Sequence, residues 1–411
     1  MVRTSSQKSL HAPEAYSGKR FLPGTAGFKR ASLALFIASF LTFANLYLTQ
    51  PLLPLFVDEF GISPAASSLS ISLAIFSLGA ALLFWGPVSD AVGRRQVMFW
   101  TMALAVVPAL VAPFVESFNQ LLVMRVAQGL LLAGLPSVAM AYLGEEFDIR
   151  ALGLAMGLYI SGNSIGGMSG RIISGILADA YSWRASFLVM GIVGVVGTVL
   201  FYYLLPPSTH FKPRPAGLHT AITSMWSHMK NTTLLKAYGI AFVCMFCFVG
   251  IFNYIAFRLS GPPYYLSTAA IGWLFLTYLA GTVSSTLSGR FIDVAGNRLA
   301  VVLGVLVALG GVFTLLLPSL WTIVAGLLIF CFGFFAAHAA ASAWVNKHAV
   351  KAKASATGLY LVCYYTGGSF GSTGLGFLWH DHGWPGVTAG LVIALAVALL
   401  LGLSLREKQH R

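Results

Sequence analysis

The stretch Gly86-Pro-Val-Ser-Asp90-Ala-Val-Gly93-Arg94-Arg95 is echoed 203 residues later by Gly289-Arg-Phe-Ile-Asp293-Val-Ala-Gly296-Asn297-Arg298. Glycine, aspartate, glycine and the closing arginine recur at identical spacing, and each copy is a short polar break between two apolar runs. A second echo runs from Gly157-Leu158-Tyr159 to Trp183 and, 201 residues on, from Gly358-Leu359-Tyr360 to Trp384. Without a gap it pairs Gly166 with Gly367, Gly167 with Gly368, Gly170 with Gly371 and Gly175 with Gly376. Two halves of one design, in parallel orientation, are therefore present in the chain itself.

The composition says where these halves reside. Of 411 residues, 57% are hydrophobic and 9% are charged. A soluble domain carries about 25% charged residues, so a soluble enzyme, a disordered chain and a disulfide-built secreted module are all excluded. At roughly 20 apolar residues per membrane helix, the apolar content fills about 12 spans. The runs fall at 31–55, 68–89, 96–115, 119–142, 152–177, 185–206, 236–257, 269–291, 299–317, 320–344, 355–378 and 385–405. They are continuous rather than alternating, which argues for helices and against a barrel of strands. The expected fold is an all-α integral membrane protein, with twelve transmembrane helices in two pseudo-symmetric six-helix bundles. The expected division is a cytoplasmic tail 1–30, a first bundle 31–206, a linker 207–235, a second bundle 236–405 and a tail 406–411.

The net charge of +13 would suggest nucleic acid in a soluble protein. Its distribution gives a plainer reading. With the N-terminus inside, 21 Lys and Arg fall on cytoplasmic segments, and only Arg184 and Arg258 fall on outer loops. That asymmetry is the positive-inside pattern, so both tails are expected in the cytoplasm and no nucleic-acid partner is expected. The first 30 residues are polar and basic, without the pattern of a cleavable signal. Cys244, Cys247, Cys331 and Cys363 all lie in apolar runs, which gives no sign of a redox or metal role. His380-Asp381-His382 supplies three adjacent ligands without a fourth partner, short of a metal site. No nucleophile, acid–base or metal constellation of an enzyme is evident, and no cofactor is expected.

Polar residues inside spans are the candidates for function. Arg125 and Arg171 are the charged ones; Arg125 either faces the bundle interior or snorkels to the outer surface, and Arg171 either pairs at an outer gate or snorkels. Asn45, Tyr47 and Gln50 in the first span, and Asn253 and Tyr254 in the seventh, either face a cavity or bond to neighbouring helices. Asn163 and Ser164 lie near the middle of the fifth span; Tyr364 and Tyr365 are the eleventh-span counterparts, suited to an aromatic or cationic ligand. His338 is the histidine well inside the bilayer and titrates near neutrality in water. Gly162, Gly166, Gly167 and Gly170 share one helix face, repeated by Gly367, Gly368 and Gly371, which favours close helix approach; beyond packing, the face is expected to let the fifth and eighth helices slide where the halves meet. All 12 acidic residues map to loops, tails or helix ends, so a proton carrier would be a boundary acid, His338 or the substrate.

The loop Gly86-x-x-x-Asp90-x-x-Gly93-Arg94-Arg95 resembles the signature loop of the major facilitator superfamily. Arg125-Val-Ala-Gln128-Gly129 is similar to a fourth-span motif of its drug–proton antiporters. Gly162-Asn-Ser-Ile-Gly166-Gly167-Met-Ser-Gly170 looks like a variant of the antiporter motif of the fifth span, without the proline that precedes the paired glycines. The stretch from Gly157 to Gly175, together with Asn253-Tyr254 and Phe334-Phe335-Ala336-Ala337-His338, resembles the YnfM-type bacterial inner-membrane exporters. That group is associated with export of cationic dyes and of sugars such as arabinose. The resemblance implies a small-molecule exporter driven by the proton gradient, acting as a monomer. It implies a latch at Gly86, Asp90, Gly93, Arg94 and Arg95, echoed at Gly289, Asp293, Gly296 and Arg298, and a coupling or substrate role for Arg125. Uptake of a sugar or metabolite is the alternative expectation; a membrane enzyme or a sensor is a remote third.

Overall fold

The computed structural model describes residues 20–213 and 217–406. Most of the expected N-terminal tail, Arg214 and Pro215 of the linker, and the residues after 406 lie outside the described residues. The chain runs through α1 (Ala26–Tyr47), α2 (Leu53–Phe60), α3 (Pro64–Val92), α4 (Arg94–Val111), α5 (Phe118–Leu132), α6 (Gly134–Glu146) and α7 (Ile149–Ala180). It continues through α8 (Trp183–Leu204), α9 (Leu218–Met229), α10 (Thr232–Ser260), α11 (Thr268–Trp273), α12 (Tyr278–Thr314), α13 (Leu320–His348) and α14 (Lys353–Leu403).

Among the described residues, nine segments are long and apolar enough to cross a membrane. Two of them leave helical geometry at a glycine, α12 at Gly296 (φ 84°) and α14 at Gly383 (φ 59°), and so supply two crossings each. The 32-residue α7 completes the twelve. It is long enough at 1.5 Å per residue, and its glycines, serines and Arg171 lower its hydropathy.

All the reversals near Asp90, Glu145, Gly296, Lys351 and the linker lie at one end of the bundle, called here the basic end. Four of the reversals at the other end are set by serine caps. Ser63, Ser117, Ser182 and Ser267 each accept the backbone N–H three residues on, satisfying helix donors that have no partner within the helix. At the basic end Asp148 caps α7 by accepting from Arg150 N at 3.0 Å. The hydrogen bond from the Arg150 side chain holds its carboxyl below the usual carboxylate range. Phe21 pairs with the α6–α7 turn, through its N–H to Glu146 O at 2.8 Å and its carbonyl to Asp148 N at 3.1 Å.

Three expectations need correction. The first span is not one helix over 31–55: it reaches Phe60 and breaks at a 3-10 turn, Gln50–Leu52, which Pro51 enters without breaking the apolar pattern. The linker 207–235 is not simply a gap. It holds α9, and its last residues already belong to α10, which Asn231 caps at Thr233 N. The glycine face of α7 does not lie where the halves meet. It packs on α1 within the first half, where a Cβ at Gly162 would stand 2.7 Å from Phe36 O. Gly166 and Gly170 press still closer on the backbones of Phe40 and Ala44, as Gly367 and Gly371 of α14 do on Phe242 and Phe246 of α10. Gly167 instead faces Arg171 and Tyr47, and Gly368 faces Met245 and Val249.

Candidate functional site: a polar chain between the halves

Arg125 does not snorkel. It is 0% exposed. Its Nε donates to Ser70 O at 2.9 Å, Nη1 to Asn45 O at 3.0 Å and to Gln128 Oε1, and Nη2 to Leu46 O. Asn45 and Leu46 belong to the last turn of α1, where helix carbonyls lack an intrahelical partner. The guanidinium thus caps α1 at its break inside the membrane, where a cation also suits the helix dipole. Gln128 Nε2 in turn donates to Asn45 Oδ1 at 3.4 Å. All three nitrogens of Arg125 are therefore engaged, and the Asn45 side chain is drawn into the same cluster.

Arg171 lies one span away in a different setting. Its Nε donates to Gln50 Oε1 and its Nη1 to Gly167 O at 2.6 Å, while Nη2 is buried without a hydrogen-bond partner. The guanidinium carbon stands 4.1 Å from the ring centroid of Tyr47, 4.8 Å from Phe275 and 4.9 Å from Tyr278. The last two rings belong to the second half, so the arginine joins the halves.

From Arg171 the hydrogen bonds continue. Gln50 Nε2 donates to Asn253 Oδ1 at 2.8 Å, Asn253 Nδ2 to Ser372 Oγ at 2.6 Å, and Ser372 Oγ to Ser68 O at 3.2 Å. The repeat explains the order. Gln50 and Asn253 are 203 residues apart, the offset of the loop echo, and Arg171 and Ser372 are 201 apart, the offset of the glycine echo. The chain Arg171–Gln50–Asn253–Ser372 is therefore palindromic about the axis between the halves, with arginine at one end and serine at the other. Sequence reading singled out Gln50 and Asn253, and met Gln128 within a motif without giving it a role, but missed Ser372, Phe275 and Tyr278; the offset alone points to Ser372.

The halves meet at the end away from the basic loops. A Cβ at Gly175 would stand 2.7 Å from Thr268 O, one at Gly272 3.1 Å from Arg171 O, and one at Gly376 2.7 Å from Ala65 Cβ. Ser72 and Thr373 share a hydrogen bond of 2.8 Å. Toward the basic end the glycines stand open: a Cβ at Gly86, Gly153, Gly157 or Gly289 would meet nothing within 4 Å. There the first loop closes on its own half. Arg94, with an 11% exposed side chain, pairs with Asp90 at 2.6 Å and with Glu145 at 2.8 Å. Its neighbour Arg95 donates to Tyr202 O at 2.7 Å. Gly93 (φ 118°) and Gly296 (φ 84°) make the two equivalent turns in backbone that side chains rarely adopt. Asp293 and Arg298 are exposed beside the second.

The remaining candidates separate. His338 stacks on Phe334, with centroids 6.0 Å apart, and lies 4.6 Å from the Tyr364 ring. Its Nδ1 shares a 2.9 Å hydrogen bond with Tyr360 Oη. Tyr364 is half-buried beside it, whereas Tyr365 is buried at the seam, its Cβ 3.0 Å from a Cβ placed on Gly79. Asn163 accepts from Ser39 of α1 and so serves packing within the first half. Tyr254 donates to Ser372 O at 2.7 Å.

Comparison with known proteins agrees with this layout. Residues 35–372 match the family model described as Major Facilitator Superfamily. The chain is 41% identical over 379 residues to an uncharacterized MFS-type transporter, YybF, of Bacillus subtilis, covering 92% of this chain and 94% of that one. It is 42% identical over 387 residues to the inner membrane transport protein YnfM of Escherichia coli, covering 94% and 93%. In structure it is similar to a bacterial homolog of the human lysosomal transporter Spinster, in an inward-facing and occupied conformation. That match has a TM-score of 0.73 at 17% identity and covers 92% of this chain and 96% of that one. The chain belongs to the major facilitator superfamily, a family of membrane transporters and not of enzymes.

Proposed function

We propose that this transporter exports small organic molecules across a bacterial inner membrane by alternating access, in exchange for protons, with both termini in the cytoplasm. One observation carries the reading: the halves are in close contact at one end and their glycines stand open toward the other, which we read as a sealed end and a parted one. The positive-inside asymmetry makes the parted, basic end cytoplasmic. The resting state then loads from the cytoplasm, as an exporter must. The far seal is held by small residues, a hydrogen-bonded chain and Arg171, all of which can separate without unfolding a helix. When the basic end closes, Asp90 is the charge free to change partner, since Arg94 keeps Glu145. The likeness to an inner membrane transport protein supports the location.

Protons need a carrier, and no span interior holds a carboxylate. His338, hydrogen-bonded to Tyr360 and stacked among Phe334 and Tyr364, is the group placed to take that role. Inside-out vesicles test direction and coupling together. An exporter accumulates its substrate in them when respiration supplies a proton gradient, and a protonophore collapses the accumulation. Accumulation that survives the protonophore removes proton exchange; accumulation only in right-side-out vesicles favours the uptake permease.

A further inference from the structure

The two arginines buried within spans are not alike. Arg125 has each nitrogen engaged by an acceptor. Arg171 is 1% exposed, and its Nη2 points into the protein with no acceptor. The hydroxyl of Tyr278, whose ring lies against the same guanidinium, is also buried without a partner. Two orphaned donors therefore share one neighbourhood, and a buried donor left unmade is costly. Among the described residues, the ion pairs of this chain sit at helix ends, at Arg94, Arg150, Arg184, His210 and His380. No carboxylate among the described residues answers Arg171. The aromatic faces around it offset part of its charge but accept no in-plane hydrogen bond from its planar fork.

One turn toward the basic end stands Gly167, where a Cβ would come within 3.3 Å of Nη1 and 3.6 Å of Tyr47 Cδ2. A larger side chain there would press on the guanidinium and on the Tyr47 ring. At the matching place in the second half the chain has Ser372, so the positive charge belongs to one side of the axis only.

We propose that Arg171 binds the anionic group of the transported molecule, and that the substrate is an organic carboxylate with a flat apolar body lying against Tyr47, Phe275, Tyr278 and Tyr364. This rests on the transport reading above and names its substrate class. A carboxylate fits the guanidinium fork and fills the orphaned donors. A cation of the same shape is repelled. At an effective dielectric constant of 20 and a separation of about 6 Å, the repulsion amounts to roughly 100-fold in affinity. Binding also explains the next step. Gln50, Phe275 and Tyr278 hold Arg171 when no anion is present, and two of these belong to the opposite half. An arriving carboxylate competes for the guanidinium with those rings and so loosens the far seal once the site is loaded. An inside-negative membrane potential then favours outward movement of the anion.

Three compounds of one shape test the idea: 2-naphthoate, 2-naphthamide and 2-naphthamidine, carrying negative, zero and positive charge. The purified full-length protein in lipid nanodiscs is melted with each. Naphthoate is expected to raise the melting temperature, and the amide and amidine to leave it unchanged. Arg171→Gln is expected to lose the naphthoate response. Because that variant can fail to fold, Gln50→Glu provides a second test. It places a carboxylate beside Arg171, so it should melt higher than the parent and ignore naphthoate. An equal or larger shift with the amidine, no shift with naphthoate, or a full naphthoate shift in Gln50→Glu overturns the proposal. Melting does not depend on transport: a naphthoate shift without vesicle efflux removes the exporter reading alone, and efflux of the amidine without a naphthoate shift removes the anion site alone.

Discussion

Three arginines of the first half have neutral counterparts in the second. Arg94, held between Asp90 and Glu145, is matched at the 203-residue offset by Asn297, which is buried and donates to Ala340 O at 3.0 Å. Arg125 lies in a helix that begins at Phe118, and α13 begins at Leu320, which sets Leu327 at its depth. Arg171 is matched by Ser372. In place of charge the second half has packed rings: Phe248 stacked on Phe334 at 4.2 Å, Phe248 tilted against Tyr278 at 4.8 Å and Phe252 stacked on Phe275 at 5.0 Å. What the halves share is backbone geometry: the positive-φ glycine of each loop and the glycine face of each fifth helix. What they divide is chemistry. One half carries fixed charge satisfied mostly by backbone carbonyls and paired acids, and the other an apolar surface able to slide. A rocking pair needs matched hinges, but a site that binds one ligand in one orientation needs unlike walls.

The shared part is the easiest to break and gives the largest effect. Gly166→Leu and Gly367→Leu should be equally severe, because each drives a side chain into the backbone of the helix opposite. Overpacking of a core costs about 3 kcal/mol or more where the obstacle is backbone. Little or no monodisperse protein is expected from either variant by fluorescence-detected size exclusion. If one half tolerated the change and the other did not, the equivalence of the two glycine faces would fail.

The divided part should respond unequally. Arg125→Leu makes the first half resemble the second at Leu327. It removes the cap from the broken end of α1 and leaves Gln128 without its charged partner, a loss of about 2 kcal/mol on the scale of hydrogen bonds to charged groups. The expected readout is a lower melting temperature with transport reduced in proportion to folded protein. A variant of wild-type stability would show that the capping bonds contribute nothing, and would leave a direct part in transport as the reason for the arginine.

Much of this was legible in the chain. The apolar runs gave the crossings, the loop echo located the reversal at Gly296, and the two offsets contain the palindrome Arg171–Gln50–Asn253–Ser372. Periodicity identified the face that Gly162, Gly166 and Gly170 share but not its partner, which is α1 and not the second half; a face is a local property and a partner is not. The break at Gln50 was hidden because Pro51 opens a turn in the middle of an apolar run, and hydropathy does not register the lost helix bonds. The fate of Arg125 and Arg171 was undecided for a related reason. Snorkelling and burial leave the same sequence, and only the position of α1's free carbonyls and of Gln50 separates them.

The mildest test concerns the paired aspartates. Asp90 is 40% exposed and shares Arg94 with Glu145. Asp90→Asn therefore leaves the arginine one carboxylate, and the expected loss of stability is within about 1 kcal/mol, the range of exposed ion pairs. Asp293→Asn, at an exposed position beside Gly296, should change stability by no more than about 0.5 kcal/mol. Transport should separate the two far more than melting does. On the proposed mechanism, closure of the basic end needs a charge that can leave Arg94 for the opposite half, and among the described residues the first loop is the one that pairs such a charge with a buried arginine. Asp90→Asn should therefore abolish transport at a normal membrane level of protein, while Asp293→Asn retains most of it. Equal transport by the two variants would mean that the loops are interchangeable turns, and the division of chemistry between the halves would then stop at the polar chain and not reach the basic end.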